Sequence, residues 1–336
     1  MSKNLYYLAA LALVGVMSTS AIAQDFHLKM QTHYSPESES GKLAQSFIDD
    51  VQTMSSGRIE IEMFWSSSLV KSVEGFDAAA SGILDGEMHG ASYLTGKNSA
   101  FQFVGDPMGG YDNPWQLYEF LYNGGGLEAA NNLYNKYNMQ FVGWWSGGQE
   151  SLVSTTSIAG IDELKGWKFR SPPGLETQIF AGVGSSPVVM DFTEVYTALE
   201  TGIIDGADHS TIANNLSAGD YDQTQFTTYP GFHSMPVDHV TFNLDVWKSL
   251  PADLQAIINV AAQKLALTTT MTFDIANREA AAAVAAKGIT VQDWSAVDRK
   301  KFREVSMEAW NDFADTPEAK ELVAAHLAFL KRIGSL

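Results

Sequence analysis

The sequence contains no cysteine, so disulfides cannot stabilise the fold. A chain of 336 residues must then rely on its core, which 45% hydrophobic residues can supply. Basic residues are also scarce, because 21 Lys and Arg against 39 Asp and Glu give a net charge of −18. This balance argues against binding nucleic acid or an anionic membrane, and an anionic ligand would need a local positive group.

Long hydrophobic runs are missing after the first 23 residues, since no later stretch reaches the roughly 18 apolar residues that a membrane-spanning helix needs. The chain begins with Lys3, an apolar run and Ala-Ile-Ala at 21–23. This order predicts a secretory signal peptide over residues 1–23, cleaved before Gln24. We therefore expect an exported protein, and its size without disulfides favours the bacterial periplasm.

Catalytic motifs are missing as well. The sequence has no nucleophile elbow, no phosphate-binding loop and no His-Glu-x-x-His zinc helix, and its 7 histidines are scattered. We therefore predict that the protein is not an enzyme and uses no organic cofactor. A secreted hydrolase or lyase stays open as an alternative, which turnover of a tightly bound compound would support.

The hydrophobic pattern predicts an α/β fold. Apolar alternation over 25–34 and 58–64 predicts two strands, and apolar spacing over 35–57 predicts a helix between them. This β-α-β opening is typical of a parallel or mixed sheet flanked by helices. A helical pattern of roughly 35 residues begins at Pro251, which is long enough to span two lobes.

One phrase occurs twice, as FDAAASGILDGEMH at 76–89 and YTALETGIIDGADH at 196–209. Each copy predicts a helix that ends at glycine, then a short apolar strand that ends in Asp-Gly. Because strand ends in open α/β sheets face the ligand crevice, the residues after Asp-Gly should lie at the mouths of two facing lobes. Turn geometry explains the glycines that the two copies share. We therefore expect the functional difference between the copies to lie at Met88 and Asp208.

Two polar residues stand out as binding candidates. Arg170 lies in the stretch GWKFRSPPG, and its planar guanidinium can grip a carboxylate bidentately, although a surface or inter-helix ion pair is the alternative. Gln149 follows WWSGG, and its amide oxygen could ligate a hard cation beside Asp208. A loop hydrogen bond for Gln149 and a turn cap for Asp208 are the alternatives.

The stretch from 163 to 205, ELKGWKFRSPPG…VGSSPVVMDFTEVYTALETGIID, closely resembles the substrate-binding proteins of TRAP (tripartite ATP-independent periplasmic) transporters. The resemblance extends over essentially the whole mature chain. It implies a two-lobed periplasmic binding protein fold with a long helix spanning both lobes. The implied divisions are lobe I at 24–145 and 238–300, lobe II at 146–237, and C-terminal helices at 301–336.

The resemblance also implies roles for individual residues. Arg170 matches the arginine that holds a ligand carboxylate. The metal ligands of the 2-oxo-acid-binding members correspond to Gln149, Asp208 and the backbone carbonyl of His209, and the ion would be Na⁺ or Ca²⁺. This sequence has Asp208 and His209 where the family usually has Glu and Trp, and Ser234 where it has a Glu. The remaining predicted ligand contacts are aromatic, with core packing as the alternative: Tyr93, Trp145 and Phe232.

The implied function is the periplasmic solute-binding component of a TRAP transporter. It would capture a small organic acid anion resembling a 2-oxo acid by hinge closure, and deliver it to the membrane subunits. A neutral polyol and an aromatic acid are the alternative ligands on the same scaffold. A homodimer formed through the amphipathic C-terminal helix is a further expectation.

Overall fold

The computed structural model describes residues 26–172, 174–190 and 194–336. The predicted signal peptide lies outside the described residues. The fold is α/β, as predicted, with two mixed sheets and helices packed on them. The strands are β1 (Phe26–Thr32), β2 (Ile59–Phe64), β3 (Gly86–Gly90), β4 (Met139–Trp145), β5 (Ser151–Ser154), β6 (Lys168–Ser171), β7 (Ser186–Val189), β8 (Gly206–Ser210), β9 (Phe226–Thr228), β10 (Asp238–Asn243) and β11 (Thr290–Gln292).

The helices follow the strands along both sheets. They are α1 (Glu39–Met54), α2 (Gly75–Ala80), α3 (Ala100–Gly105), α4 (Pro114–Asn123), α5 (Gly126–Tyr134), α6 (Leu175–Gly182), α7 (Val195–Glu200), α8 (Ile212–Ala218), α9 (Leu244–Ser249), α10 (Ala252–Ala286), α11 (Ala296–Phe313) and α12 (Pro317–Arg332). In α1 the Ser38 side chain caps the first turn by accepting from the Gly41 amide, and the apolar side chains at Leu43, Phe47 and Val51 are buried.

The first sheet has the order β2-β1-β3-β10-β4, and the second has β11-β9-β5-β8-β6-β7. The chain passes between them at 146–150, at 229–237 and through α10. The 35-residue helix α10 packs on α1 and β4 at one end and on α8 and β11 at the other. The predicted long helix is therefore confirmed, and at 1.5 Å per residue it is about 52 Å long.

The two copies of the repeated phrase fold in the same way, but the strand was predicted at the wrong place. Each Asp-Gly begins a strand instead of ending one, since β3 and β8 start at Gly86 and Gly206. A Cβ at either glycine would lie 2.4 Å from a carbonyl oxygen of the neighbouring strand. The preceding aspartates, Asp85 and Asp205, accept from the backbone amides of adjacent strands. The shared residues are therefore scaffold.

The lobe boundaries stay a prediction, and one strand falls outside them. The strand β11 pairs with β9 in the second sheet, although the predicted lobe I extends to residue 300. The C-terminal helix, which we expected to form a dimer surface, packs its apolar side chains into the core; these are Leu322, Val323, Phe329 and Leu330. Among the described residues, no helix combines the length and apolar character needed to cross a membrane.

Candidate ligand-binding site

The carboxyl ends of β6 and β8 meet at one edge of the second sheet, because these strands are parallel and adjacent. The antiparallel strand β5 starts at the same edge, opposite the end of β8. Arg170 on β6, Asp208 on β8 and Glu150 just before β5 therefore converge there. Edges of this kind face the ligand crevice in open α/β sheets.

Arg170 is buried, with 7% of its surface exposed, which excludes the alternative of a surface ion pair. Its Nη1 donates to the backbone carbonyl of Asp208 at 2.7 Å, and its Nε lies 3.3 Å from the carbonyl oxygen of Met190, to which it donates. These bonds fix the plane of the guanidinium on the strand edge. A fixed guanidinium is pre-organised to grip a carboxylate.

Asp208 is buried, with 2% of its surface exposed. Its counterpart in the first copy, Met88, is also buried, but it lies in the apolar core of the first sheet. The Oδ1 atom of Asp208 lies 3.0 Å from Nε2 of His233. Burial alone would raise the pKa of Asp208, but His233 and Arg170 outweigh it and lower the pKa to about 2. Asp208 is therefore an anion at neutral pH.

Three further carboxyl groups join Asp208, and together the four form what we call the acidic cluster. They come from Asp106, Glu150 and Glu176. Oε1 of Glu176 lies 3.9 Å from Nε2 of His233, and Oε2 accepts from the Ser171 hydroxyl at 2.8 Å. The sequence prediction missed these three residues.

The Ser234 hydroxyl bridges two members of the acidic cluster. It lies 2.6 Å from Oδ2 of Asp106 and 2.8 Å from Oε2 of Glu150. A serine has one hydroxyl proton, so it can donate to only one of the two, and a proton on the other carboxyl completes the second bond. This agrees with the raised pKa values of the two carboxyl groups. Burial raises the pKa of Asp106 to about 7. Burial and the neighbouring charge of Asp208 raise the pKa of Glu150 well above its usual range.

The cluster suits a cation. One ligand atom from each of Glu150, Asp208 and His233 lies within 4.8 Å of the others, as a metal site requires. Oδ1 of Asp208 has His233 as its neighbour at 3.0 Å, and Oε1 of Glu176 is buried without a hydrogen-bond partner. Carboxylate oxygens are the ligands that Ca²⁺ prefers, while the imidazole also suits transition metals. The donor set therefore fits a divalent ion.

Of the three predicted metal ligands, Asp208 belongs to this group of imidazole and carboxyl side chains, and ligation by Gln149 stays a prediction. The Gln149 amide donates from Nε2 to the carbonyl of Tyr111 at 3.0 Å. The ring of His209 is held through Nδ1 by Asp220 at 2.7 Å. The predicted use of the His209 backbone carbonyl stays a prediction. Glu150, the residue after Gln149, is the side chain that reaches the acidic cluster.

The carboxyl edge of the first sheet carries a group of rings, and the carboxyl of Asp238 accepts from the hydroxyl of Tyr34 beside them at 2.5 Å. Four ring pairs connect His33, Tyr34, His89, Tyr93 and Trp145, with centroids 4.0 to 5.6 Å apart, and we call this set the aromatic wall. Tyr93 is 66% exposed, whereas Trp145 is 2% exposed. The wall therefore includes two of the predicted ligand contacts, one of them open to solvent.

Phe232, the third predicted aromatic contact, packs in the core. It is 6% exposed, and its ring stacks on Trp294 with centroids 3.8 Å apart. The next residue in the chain, His233, makes the polar contact with Asp208 described above. The structure thus favours the core-packing alternative for Phe232.

A family model described as "Bacterial extracellular solute-binding protein, family 7" matches residues 30–316. A monocarboxylate 2-oxoacid-binding periplasmic protein of Nostoc sp. is 29% identical over 293 residues, which cover 86% of this chain and 80% of that protein. The family match extends over the acidic cluster and over nearly all of both sheets.

Solved structures agree in fold. A TRAP periplasmic solute binding protein from Rhodobacter sphaeroides, in an apo open form, is 34% identical with a TM-score of 0.84, over 92% of this chain and 98% of that one. A TRAP transporter solute binding protein from Bordetella bronchiseptica is 22% identical with a TM-score of 0.80, over 92% and 93%. That protein is a mixed-occupancy dimer with copurified calcium and picolinate in one active site.

Proposed function

The chain belongs to family 7 of the bacterial extracellular solute-binding proteins, the TRAP type, and we propose from this that it captures a small organic acid anion in the periplasm. It passes the acid to the membrane subunits of a TRAP transporter. It binds without turnover, so it is not an enzyme. The 2-oxo acid class is the first candidate, in line with the relative from Nostoc.

The observation that carries this proposal is the position of Arg170. Its guanidinium is buried at the carboxyl edge of the second sheet and oriented by two carbonyl oxygens. With a net charge of −18, the molecule repels anions at long range. A carboxylate ligand therefore needs Arg170 as its local positive partner.

The acidic cluster requires a second positive charge when an anion binds. Four carboxyl groups lie near one guanidinium, so either bound protons or a cation must offset their negative charge. We propose that Glu150 and Asp208, with His233, hold a cation such as Ca²⁺. A bound cation would attract the ligand carboxylate to the same edge as Arg170.

Hinge closure would complete the site. Glu150 and His233 lie on the two segments that cross between the sheets, and the Glu150 amide donates to the carbonyl of Ser234 at 2.9 Å. A ligand held at this edge is therefore held at the hinge. Contacts to the second sheet and to the aromatic wall together would favour a closed state over an open one.

An aromatic acid is the second candidate ligand, and the aromatic wall favours it. Exposed Tyr93 next to His89 offers a ring face on which a planar heterocycle can stack. The neutral polyol alternative has no such observation in its favour.

A thermal-shift and calorimetry panel separates these ligands. Purified protein would be titrated with 2-oxo acids, aromatic carboxylates and polyols of similar size, each with calcium and with a chelator. We expect an acid to bind and a polyol not to bind. Tight binding of a polyol with no acid bound would contradict the proposal.

A further inference from the structure

The carboxyl edge of the first sheet brings a hydrogen-bond donor and an acceptor together. Asp238 lies directly opposite Trp145 where β10 pairs with β4, so the two side chains share one face of the sheet. The Tyr34 hydroxyl, just after β1, donates to Oδ2 of Asp238 at 2.5 Å, and the Tyr34 ring lies edge-on to that of Trp145 with centroids 5.6 Å apart. We call Trp145, Asp238 and the adjacent His33 the polar edge.

Two nitrogen atoms of the polar edge are buried and lack a hydrogen-bond partner among the described residues. They are Nε1 of Trp145 and Nδ1 of His33. An indole N–H only donates, whereas a nitrogen of a neutral imidazole either donates or accepts. Buried polar groups nearly always have a partner, and this edge is of the kind that faces the ligand crevice. A ligand oxygen is therefore a suitable partner for Trp145.

No member of the polar edge carries a positive charge at neutral pH. Burial lowers the pKa of His33 to about 4, and it also lowers the pKa of the neighbouring His89. The Asp238 carboxyl lies at the edge itself, and the Glu87 carboxyl acts on His33 from nearby. A carboxylate brought here would meet carboxyl groups and no cation, in contrast to the edge of the second sheet with Arg170.

Two short segments join the polar edge to the acidic cluster. Five positions separate Trp145 from Glu150, and five separate Asp238 from His233. Five fully extended residues span at most about 18 Å, so the two groups are close along both crossing segments. A ligand that bridges the crevice can therefore place one end at each sheet edge.

We propose that the polar edge binds a hydroxyl group, so that the ligand is a monocarboxylate with a hydroxyl at the end far from its carboxylate. A hydroxyl oxygen accepts from Nε1 of Trp145 while its proton is donated to Asp238. A ligand without this group leaves the indole unpaired, and a second carboxylate would meet Asp238 without a positive partner. The inference rests on the proposed function, because Arg170 has to hold the carboxylate.

The first test compares acids that differ only at the far end. Benzoate, 4-hydroxybenzoate and terephthalate form one series, and butyrate, 4-hydroxybutyrate and succinate form another. Calorimetry with calcium present measures each affinity. In the tighter-binding series, the hydroxy acid should bind at least about tenfold more tightly than both partners, because a site built to bond a hydroxyl rejects analogues without one. A dicarboxylate or unsubstituted acid that binds as tightly would overturn the proposal.

The second test removes the donor. Trp145→Phe keeps a ring but deletes Nε1, so affinity for the hydroxy acid should fall at least about tenfold while affinity for the unsubstituted acid changes less than about twofold. Trp144→Phe is the matched control. Nε1 of Trp144 also lacks a partner, but this ring stacks on Phe120 in the core, and neither affinity should change. An equal loss for both acids would show a structural role for Trp145 and overturn its part in the subsite.

The third test changes the acceptor. Asp238→Asn keeps an oxygen for the Tyr34 hydroxyl but removes the carboxyl, so the preference for the hydroxy acid over the dicarboxylate should narrow at least about fivefold. Asp77→Asn, which removes a surface carboxyl paired with Lys97, should leave that preference unchanged. An unchanged preference in Asp238→Asn would remove Asp238 from the subsite.

These outcomes separate the inference from the proposed function. If the acids bind and Arg170→Ala abolishes binding, but the hydroxyl gives no advantage, the hydroxyl subsite is wrong and the proposed function stands. If no acid of either series binds, or Arg170→Ala binds them unchanged, both are wrong. Circular dichroism melts of every variant would separate loss of selectivity from loss of folding.

Discussion

Oδ1 of Asp208 lies 3.0 Å from Nε2 of His233, and both side chains are buried. Asp208 comes from a strand of the second sheet, and His233 comes from a segment that crosses to the first. The pair therefore joins the sheet edge that carries Arg170 to the hinge. Ligand or cation binding at Asp208 would in this way be linked to the segment that we propose as the hinge.

The first prediction concerns the cation. Glu150→Gln keeps the shape of the side chain but removes a charge from the proposed ligand set, so calcium affinity measured by calorimetry should fall at least about tenfold. Glu119→Gln makes the same change at an exposed position of α4 and should leave calcium binding unchanged. Equal calcium affinity in the wild type and Glu150→Gln would remove Glu150 from the cation site.

The second prediction concerns the pH dependence of calcium binding. Burial, together with Asp208, raises the pKa of Glu150 well above its usual range, so a cation that Glu150 ligates has to displace its proton. Calcium affinity should therefore rise as pH increases above the ordinary titration range of a glutamate, and binding should release protons. Calorimetry in buffers of different ionisation enthalpy counts those protons, and a count of zero at every pH tested would contradict this explanation.

The third prediction concerns stability without calcium. The pKa of Asp106 is raised from 3.8 to about 7, so the folded state keeps a proton that the unfolded state releases. The free energy of unfolding should then fall as pH rises between about 4 and 7, by up to about 1.4 kcal/mol per pH unit. Asp106→Asn should flatten this slope in urea unfolding with chelator present. An unchanged slope would show that Asp106 is ionised throughout.

The fourth prediction concerns ligand class. Tyr93→Ala removes the exposed ring of the aromatic wall, so affinity for an aromatic carboxylate should fall about tenfold while affinity for pyruvate changes little. Tyr196→Ala is the control, because this tyrosine of α7 is 38% exposed and lies outside the aromatic wall. It should leave the affinity for both acids unchanged. If both acids lose affinity equally, Tyr93 does not discriminate between them.

Much of the fold could be predicted from the sequence, because its signals are local. The 35-residue periodicity after Pro251 predicted α10, and alternation predicted β1 and β2. The Asp-Gly turns were placed at the wrong end of their strands, since Gly86 and Gly206 are needed for close approach to a neighbouring strand. That requirement arises from sheet packing, which the local pattern does not contain.

The site was predicted only in part. Arg170 and Asp208 stand in a recognisable stretch, and the structure brings them together. Glu150 and His233 were missed because they join the cluster from crossing segments about 80 residues apart in sequence. One signal was available, because the resemblance implies a Glu at the position of Ser234, and this departure marked the segment as part of an altered site. Ser234 contacts Glu150 directly.

The most direct test of the central claim is calorimetry of an organic acid with the wild type and Arg170→Ala, both loaded with calcium. We predict that the wild type binds pyruvate or an aromatic carboxylate, and that Arg170→Ala weakens binding at least about 100-fold because the charge-assisted hydrogen bonds are lost. Arg58→Ala, which removes a surface arginine paired with Asp253, should bind like the wild type. Unchanged affinity in a folded Arg170→Ala would contradict the account.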